Sequence, residues 1–434
     1  MKWDLAIVAG TMLAVAAVSR RLTGTSVTPA MAFVAVGLIV GPLVAGEVEV
    51  SPSSATVRTL AEATLAVVLF SDASRIRLRA LRREYSVPLR LLAIGLPLTI
   101  VLGALAAAAV VSGLSAPEAA VLAITLAPTD AALGQAVVTE PRLPSRIRQG
   151  LNVESGLNDG ICVPLLILAL AAADVDANAV TAHHAVSVVA EEIGYGIVGG
   201  VAAGVAASAV LVLSLRREVI SPPWVQVVPV AGAALAYGIA AALGGSGFIA
   251  AFTAGGVFGY LAHEEVDHAS LFSDEVGGVL GGVTFLAFGA VLLGPALKHL
   301  TWSVGLYAVL SLTVIRMLPV ALAVLGSGAK APTVAFLGWF GPRGLASIVF
   351  AVIVLQESNL PGVGTILVTI YTTVGLSVLA HGISAAPLAR RYASWYEEQA
   401  HARPKLMESV SAAAHRPRGA RPVPPASEAS AKAR

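Results

Sequence analysis

The sequence predicts an all-α polytopic membrane protein, and its composition and its long apolar runs lead to that prediction. Hydrophobic residues make up 56% of the 434 residues and charged residues only 12%, whereas soluble domains contain about 25% charged residues. The mean hydropathy is +0.82. This composition leaves no room for a soluble nucleotide-binding domain of useful size, and we expect no nucleic-acid partner.

Polar and Gly/Pro-containing connections divide the apolar runs into about thirteen spans, each close to the length that crosses a bilayer as a helix. The spans cover residues 4–19, 28–46, 57–73, 87–112, 117–137, 148–172, 185–214, 224–243, 247–262, 276–295, 302–325, 333–355 and 362–388. The first span could also be a signal-peptide core that follows Lys2. We interpret it as a spanning helix because so many spans follow.

Basic residues in the connections predict the orientation of the spans by the positive-inside rule. Connections after odd-numbered spans hold most arginines, above all the segment 75–83, which we expect at anionic lipid headgroups. We therefore expect the N-terminus outside and the C-terminus in the cytoplasm. The acidic segment 263–275 is an exception. The spacing of His263 and His268 excludes an H-E-x-x-H zinc site in this segment. We interpret the segment as a solvated cytoplasmic loop, and a pH sensor is the alternative.

The C-terminal part of the chain differs in composition from the rest. Beyond Tyr396 it is rich in Ala, Arg, Pro and Ser, and a segment of this kind cannot bury a core. We expect residues 1–395 to form the transmembrane domain and residues 396–434 to form a disordered cytoplasmic tail.

Two spans contain residues that interrupt a helix. Span 5 contains Leu126–Asp130 and span 12 contains Gly338–Gly344, and each segment places a proline beside a charged residue. A simple kink explains either segment alone. The opposite charges of Asp130 and Arg343 favour a second interpretation, in which the two unwound helices cross and each charge neutralises a half-helix end.

The positions of the two breaks predict an inverted repeat. If spans 1–6 and spans 8–13 are the two halves, spans 5 and 12 hold the same place in each. The offset of seven spans is odd, so the halves have opposite orientations. Paired interrupted helices in such halves indicate the substrate site of a transporter.

Span 6 carries a polar cluster in an otherwise apolar sequence, and ionisable residues at that depth are functional by default. Ser155 and Asp159 lie four residues apart and share a helix face. With Asp130 and a freed carbonyl near Thr129, they predict a site of oxygen ligands, which suits Na+ or Li+ better than a transition metal. Burial disfavours a charged carboxylate and a bound cation favours it. Proton and cation would therefore compete for one group.

Three further charged residues are expected near this site. Glu154 would add too much negative charge to it, so we expect an ion pair between Glu154 and an arginine. Arg316 in span 11 is preferred, because an unpaired arginine at that depth is costly, and Arg343 is the alternative. Asp72, at the end of span 3, is a candidate entrance for the ion, although a solvated helix-end residue explains it equally well.

The segments Ala127–Asp130, Glu154–Asp159 and Gly341–Gly344 resemble motifs of the bacterial monovalent cation:proton antiporters, in the NhaP-like, electroneutral Asn-Asp branch of the superfamily that includes sodium/proton exchangers. The resemblance covers about residues 1–392. It implies exchange of Na+ or Li+ for H+ across the bacterial cytoplasmic membrane. The cation contacts that it implies come from Asp130, Ser155, Asp159 and the Thr129 carbonyl.

The resemblance also implies an assembly and a stoichiometry. It implies a homodimer in which a transport core, spans 3–6 and 10–13, moves against the remaining scaffold spans by an elevator motion. Asn158 stands where electrogenic relatives have aspartate, which implies one-for-one exchange. Asp72 stands where several relatives have glutamate, so its role stays open. Membrane lipids and the transported ions are the other expected partners, and no cofactor is expected.

Two alternatives to Na+/H+ exchange stay open from the sequence. One is a K+/H+ antiporter on the same scaffold, because ligand types alone do not determine which ion fits. The other is an intramembrane enzyme that uses Asp130 and Asp159 as a catalytic pair. That second alternative leaves Asn158 and the break in span 12 without a role.

Overall fold

The computed structural model describes residues 2–22, 25–42, 55–75, 86–130, 133, 137, 140–176, 181–262, 265–357, 360–402 and 407–409. Within these ranges the chain is helical and has no β-strand. Among the described helices, eight are long and apolar enough to cross a membrane, so the chain is a multi-pass, all-α membrane protein. The count of thirteen spans and the inverted repeat stay predictions.

Helices overlap every predicted span and are numbered accordingly. They are α1 (Lys2–Leu22), α2 (Pro29–Val40), α3 (Ala55–Ser74), α4 (Ser86–Val110), α5 (Ala116–Thr125), α6 (Ser145–Asp176), α7 (Ala182–Arg216), α8 (Pro222–Ala242), α9 (Gly247–Leu261), α10 (Val266–Ala287), α11 (Trp302–Ala323), α12a (Ala331–Trp339), α12b (Leu345–Glu357) and α13 (Val363–Ala402). Wider π-helical turns occur at Leu91–Gly95 within α4 and at Phe288–Leu293 after α10.

Both predicted helix breaks are present. Helix α5 ends at Thr125, and residues 128–130 have no regular structure. Helix α12a ends at Trp339, and α12b begins only at Leu345. Proline lacks the N–H that would continue a helix, which explains why each break contains one. Residues 131, 132 and 134–136 of span 5 lie outside the described residues.

The helices form two groups by their packing. The core group contains α4, α5, α6, α11, α12a, α12b and α13, and the scaffold group contains α1–α3 and α7–α10. Small residues join α7 to α9, because such residues let two membrane helices approach closely. Cβ atoms at Gly200 and Gly204 would overlap the α9 backbone at Ala250 and Ala254.

The packing of α3 and α10 differs from the predicted division, which places spans 3 and 10 in the transport core. Helix α3 packs most closely on α9 and α10, and α10 packs on α3, α8 and α2. Gly255 and Gly259 of α9 lie directly against the backbone of Phe70 and Ser74 in α3. The two groups therefore meet where α6 packs on α3, α7 and α9 and where α12b packs on α3.

Arg75 and Asp274 correct the interpretation of two segments. Helix α10 begins at Val266, not at 276, so Asp274 lies within a helix and is buried. Arg75 Nη2 forms an ion pair with Asp274, and Ser71 Oγ donates to the same carboxylate at 2.9 Å. Two opposite charges can be buried when they pair and are hydrogen-bonded. Residues 76–85, His263 and Glu264, and the side chains of Asp267 and His268 lie outside the described residues.

Helical structure continues further along the chain than the sequence predicts. Helix α13 continues past Tyr396 to Ala402, and Met407–Ser409 forms a 3-10 turn on the core group. Glu408 is buried, and its Oε1 accepts hydrogen bonds from Lys330 N at 3.1 Å and Thr333 Oγ1 at 2.6 Å. The prediction of disorder from residue 396 is therefore wrong for residues 396–402 and 407–409. Residues 410–434 lie outside the described residues.

Glu408 gives a first testable prediction, because its carboxylate lies at the N-terminal end of α12a, where negative charge is favourable. We expect Glu408→Ala to lower the free energy of unfolding by about 1 kcal/mol, the usual cost of a lost N-terminal cap. Thermal unfolding of the purified protein and limited proteolysis after α13 would measure the change. Glu398→Ala, at an exposed position of α13, is the control. Proteolysis identical to wild type would contradict the prediction.

Candidate ion-binding site

The two non-helical segments meet at one point within the core group. Asp130 N donates a hydrogen bond to Pro342 O at 2.8 Å. Gly344 permits this close approach, because a Cβ atom there would overlap the carboxylate of Asp130. The two breaks therefore pack directly against each other, as the crossed-helix interpretation requires.

Asp130 and Arg343 each lie at the end of the opposite half-helix. Asp130 Oδ2 accepts a hydrogen bond from Leu345 N, at the start of α12b, at 2.9 Å. Arg343 Nη1 donates to Ala127 O at 2.8 Å and to Pro128 O at 3.3 Å, just beyond the end of α5. Helix N-termini carry partial positive charge and C-termini partial negative charge. Each side chain therefore neutralises the helix end that it contacts.

Thr129 connects the crossing to α6 through three hydrogen bonds. Ser155 Oγ donates to the Thr129 carbonyl. Asn158 Nδ2 donates to Thr129 Oγ1 at 2.8 Å, and Asn158 Oδ1 accepts from Thr129 N at 3.3 Å. The amide of Asn158 thus binds both the hydroxyl and the backbone of Thr129, and it adds no charge.

Asp159 lies on the same face of α6 as Ser155. It lies one helical turn after Ser155, whose hydroxyl is on the Thr129 carbonyl. Asp159 and Ser155 are 7% and 6% exposed. The candidate ligands are therefore the carboxylates of Asp130 and Asp159, the hydroxyl of Ser155 and the backbone carbonyl of Thr129. Oxygen donors of this kind suit a hard cation.

Comparison with known proteins identifies the family. Residues 8–391 match the sequence model of the family described as sodium/hydrogen exchanger, transmembrane. The chain belongs to the sodium/hydrogen exchanger family. This exchanger family consists of transporters, so the alternative of an intramembrane enzyme does not hold.

One relative of the chain is the K(+)/H(+) antiporter NhaP of Alkalimonas amylolytica, which is 26% identical over 332 residues. The match covers 75% of this chain and 56% of that protein, so this chain spans little more than half of the relative's length. The relative supports the predicted NhaP-like family.

Two structures of the sodium proton antiporter MjNhaP1 from Methanocaldococcus jannaschii share the fold. The structure at pH 8 has a TM-score of 0.68 and 19% identity and covers 88% of this chain and 98% of that chain. The electron-microscopy structure has a TM-score of 0.72 and 18% identity and covers 91% and 98% of the two chains. At this level of identity the similarity shows the exchanger fold.

Glu154 forms an ion pair with Arg316, the preferred of the two arginines that the sequence offered. Arg316 Nη1 lies 2.6 Å from Glu154 Oε1, and Nη2 lies 2.9 Å from Oε2. Both side chains are 2% exposed. Gly341 leaves room for this pair, because a Cβ atom there would overlap the guanidinium of Arg316. The pair therefore joins α6 to α11 beside the crossing.

Asp72 lies beside the site rather than in solvent among the arginines of the following segment. Its Cβ atom would be 3.3 Å from a Cβ atom added at Gly156 of the neighbouring α6. Gly156 directly follows Ser155 in the chain. Asp72 is half-buried and reaches the boundary between scaffold and core groups from α3. This position favours the entrance hypothesis for Asp72.

Ser377 and His381 of α13 support the crossing, although the sequence predicts no role for either residue. Arg343 N donates to Ser377 Oγ at 2.7 Å, and this oxygen lies 3.2 Å from His381 Nδ1. His381 Nε2 lies 2.9 Å from Trp339 O, at the end of α12a. His381 Nδ1 also lies 3.0 Å from Ser377 O. Their spacing of four residues on one helix was the only signal in the sequence.

The ion pair of Glu154 and Arg316 gives a second prediction. Removing one partner leaves an uncompensated buried charge, so Glu154→Gln and Arg316→Met should each lower the free energy of unfolding by about 3–5 kcal/mol. The double variant should lose less than the sum of the two, because neither charge remains. Thermal unfolding of the purified variants measures this coupling.

The exposed pair of Arg58 and Glu62 provides the control for that cycle. Its side chains are 45% and 21% exposed, and surface pairs contribute only about 0–1 kcal/mol. Glu62→Gln should therefore change stability little. Strictly additive losses in the Glu154 and Arg316 variants would contradict the structural role of the buried pair.

Proposed function

We propose that the protein is a secondary antiporter that exchanges one monovalent cation, Na+ or Li+, for one proton across the cytoplasmic membrane of a bacterium. The observation that carries the proposal is the Thr129 carbonyl, which the crossing turns toward Ser155 one helical turn from the buried Asp159. This arrangement supports a shared site for oxygen ligands and a protonatable group. Membership of the sodium/hydrogen exchanger family supports the same function.

Asp159 is the main exchanging group in this mechanism. Its carboxylate binds either the cation or a proton, because each neutralises the charge that burial disfavours. The empty site keeps its negative charge and does not reorient, so only the cation-bound and proton-bound forms cross. Exchange of the two ions follows. Asp130 adds the second carboxylate from the crossing, and Ser155 and Thr129 supply neutral oxygen atoms.

The proposed movement has a structural counterpart in the two helix groups. The core group carries the site and moves against the scaffold group, so that the site faces one side of the membrane at a time. Asp72, on the scaffold side of the boundary, is the proposed entrance residue. We further propose that two copies assemble through their scaffold groups within the lipid bilayer, with the N-terminus outside and the C-terminus in the cytoplasm.

The second candidate function is K+/H+ antiport. One observation favours it, since a relative that matches 75% of this chain is named a K(+)/H(+) antiporter. The site chemistry is the same for both ions, and the choice depends on the space that the four ligands leave. Transport with K+ and none with Na+ or Li+ would favour this second function.

Ion exchange gives a third prediction. Purified protein in liposomes with an internal pH dye should change the internal pH when Na+ or Li+ is added outside. Asp159→Asn should abolish this signal, because an amide neither releases a proton nor offers a charged ligand. Glu191→Gln, at an exposed site on α7, should behave as wild type. No cation-dependent signal from wild type with Na+, Li+ or K+ would contradict the proposed function.

Asn158 gives a fourth prediction, which concerns stoichiometry. Exchange of one cation for one proton moves no net charge, so a potential-sensitive dye should report no voltage during wild-type transport. Asn158→Asp adds a carboxylate to the site, and we expect its exchange, where it is retained, to generate a membrane potential. A potential generated by the wild type would contradict electroneutral exchange.

A further inference from the structure

We propose that Phe252 of the scaffold helix α9 is the barrier that separates the two sides of the ion path, and that it acts by resting on Gly160 directly beside Asp159. This inference rests on the antiport function proposed above. In the sequence Phe252 is an ordinary apolar residue of span 9. Its role follows only from what its ring contacts.

Helix α6 faces the scaffold group with two glycines one turn apart. Gly156 lies against Asp72 of α3, and Gly160 lies against Phe252. A Cβ atom at Gly160 would overlap the aromatic ring of Phe252, so the ring rests on bare backbone. Because Gly160 directly follows Asp159, the ring covers α6 next to the exchanging carboxylate.

A cavity of about 470 Å³ lies on one side of this contact. The charged side chains in its lining are three carboxylates and one guanidinium. They belong to Glu62, Asp174, Glu192 and Arg58. In the predicted orientation this outer cavity faces the outside, and its charges make it suitable for a hydrated cation.

A second cavity, of about 540 Å³, lies on the other side of the contact. Leu157 of α6 lines it on the side of the core group. Ala73 at the end of α3 lines it on the side of the scaffold group. Phe252 itself and Tyr260, further along α9, are also part of its lining. In the predicted orientation this inner cavity lies in the cytoplasmic half of the protein, toward which α3 and α9 both run.

The order of the lining residues places the Phe252–Gly160 contact between the two cavities on both helices. Along α6, Leu157 lines the inner cavity and Val163 lines the outer one, with Gly160 midway. Along α9, Phe248 lines the outer cavity, one turn before Phe252. The ring is therefore the part of the scaffold that closes the boundary at the level of Asp159.

The pairing of a bulky ring with a glycine suits a barrier that must also move. The ring excludes water, so a proton reaches Asp159 from one side at a time. Gly160 offers no side chain to interlock with the ring, so α6 can slide past it. Loss of the ring should open a water path past Asp159, whereas a methyl group at Gly160 should lock the two surfaces together.

Three variants of the full-length protein in liposomes test this arrangement. Gly160→Ala should slow cation-dependent pH change about tenfold, because added bulk at a tight contact is strongly unfavourable. Phe252→Ala should let protons cross without any cation. In Gly160→Ala/Phe252→Ala the methyl group has room, so uptake of the cation, which a proton leak does not hide, should be faster than in Gly160→Ala.

The control variant is Gly305→Ala in the core helix α11, where an added Cβ atom meets no atom within 4 Å. It should transport as wild type, and it receives the same gain in helix propensity as Gly160→Ala. Size-exclusion chromatography of every variant checks folding before reconstitution.

The outcomes separate this inference from the function on which it rests. Liposomes with Phe252→Ala that stay proton-tight overturn the barrier, whatever the rate of Gly160→Ala. A slow Gly160→Ala that the second substitution does not accelerate overturns it as well. In both cases wild-type exchange would leave the antiport function intact. A wild type without any cation-dependent pH change overturns both.

Discussion

The rest of the structure depends on one interaction, in which Asp130 and Arg343 each bind the end of the opposite half-helix at the crossing. In a hydrocarbon environment, backbone polar groups need partners within the protein, and two broken helices leave helix ends without them. Asp130 comes from one broken segment and binds the start of α12b, while Arg343 comes from the other and binds the carbonyls after α5. Each broken segment stabilises the other, so neither break is stable without its partner. This mutual dependence is what allows irregular backbone at the middle of the membrane.

The motif around Arg343 follows from that crossing, residue by residue. Gly341 leaves space for the Arg316 guanidinium, and Gly344 leaves space for the Asp130 carboxylate. The Pro342 carbonyl accepts the backbone N–H of Asp130. Each position meets a different neighbour, and the two glycines are required by close approach rather than by flexibility.

Local chemistry determined what the sequence could predict. Proline and charge at the breaks are visible within a few residues, and the cost of a lone buried arginine pointed from Glu154 to Arg316 without any contact information. Arg75 and Asp274 could not be found in this way, because each looks like an ordinary loop residue until α3 and α10 pack together. The same holds for Glu408, whose segment has a composition typical of disorder but whose carboxylate caps α12a.

Helix α6 explains why the candidate site lies at a boundary and not in the centre of the core group. Glu154 points to α11, Ser155 and Asn158 bind the crossing, and Gly156 and Gly160 face the scaffold. Asp159 lies between the last two faces. A carboxylate enclosed on all sides by the core group would keep the same partners however that group moved. At the boundary, one face keeps its ligands while the other changes its surroundings, and this difference is what the proposed alternating exposure of a single carboxylate requires.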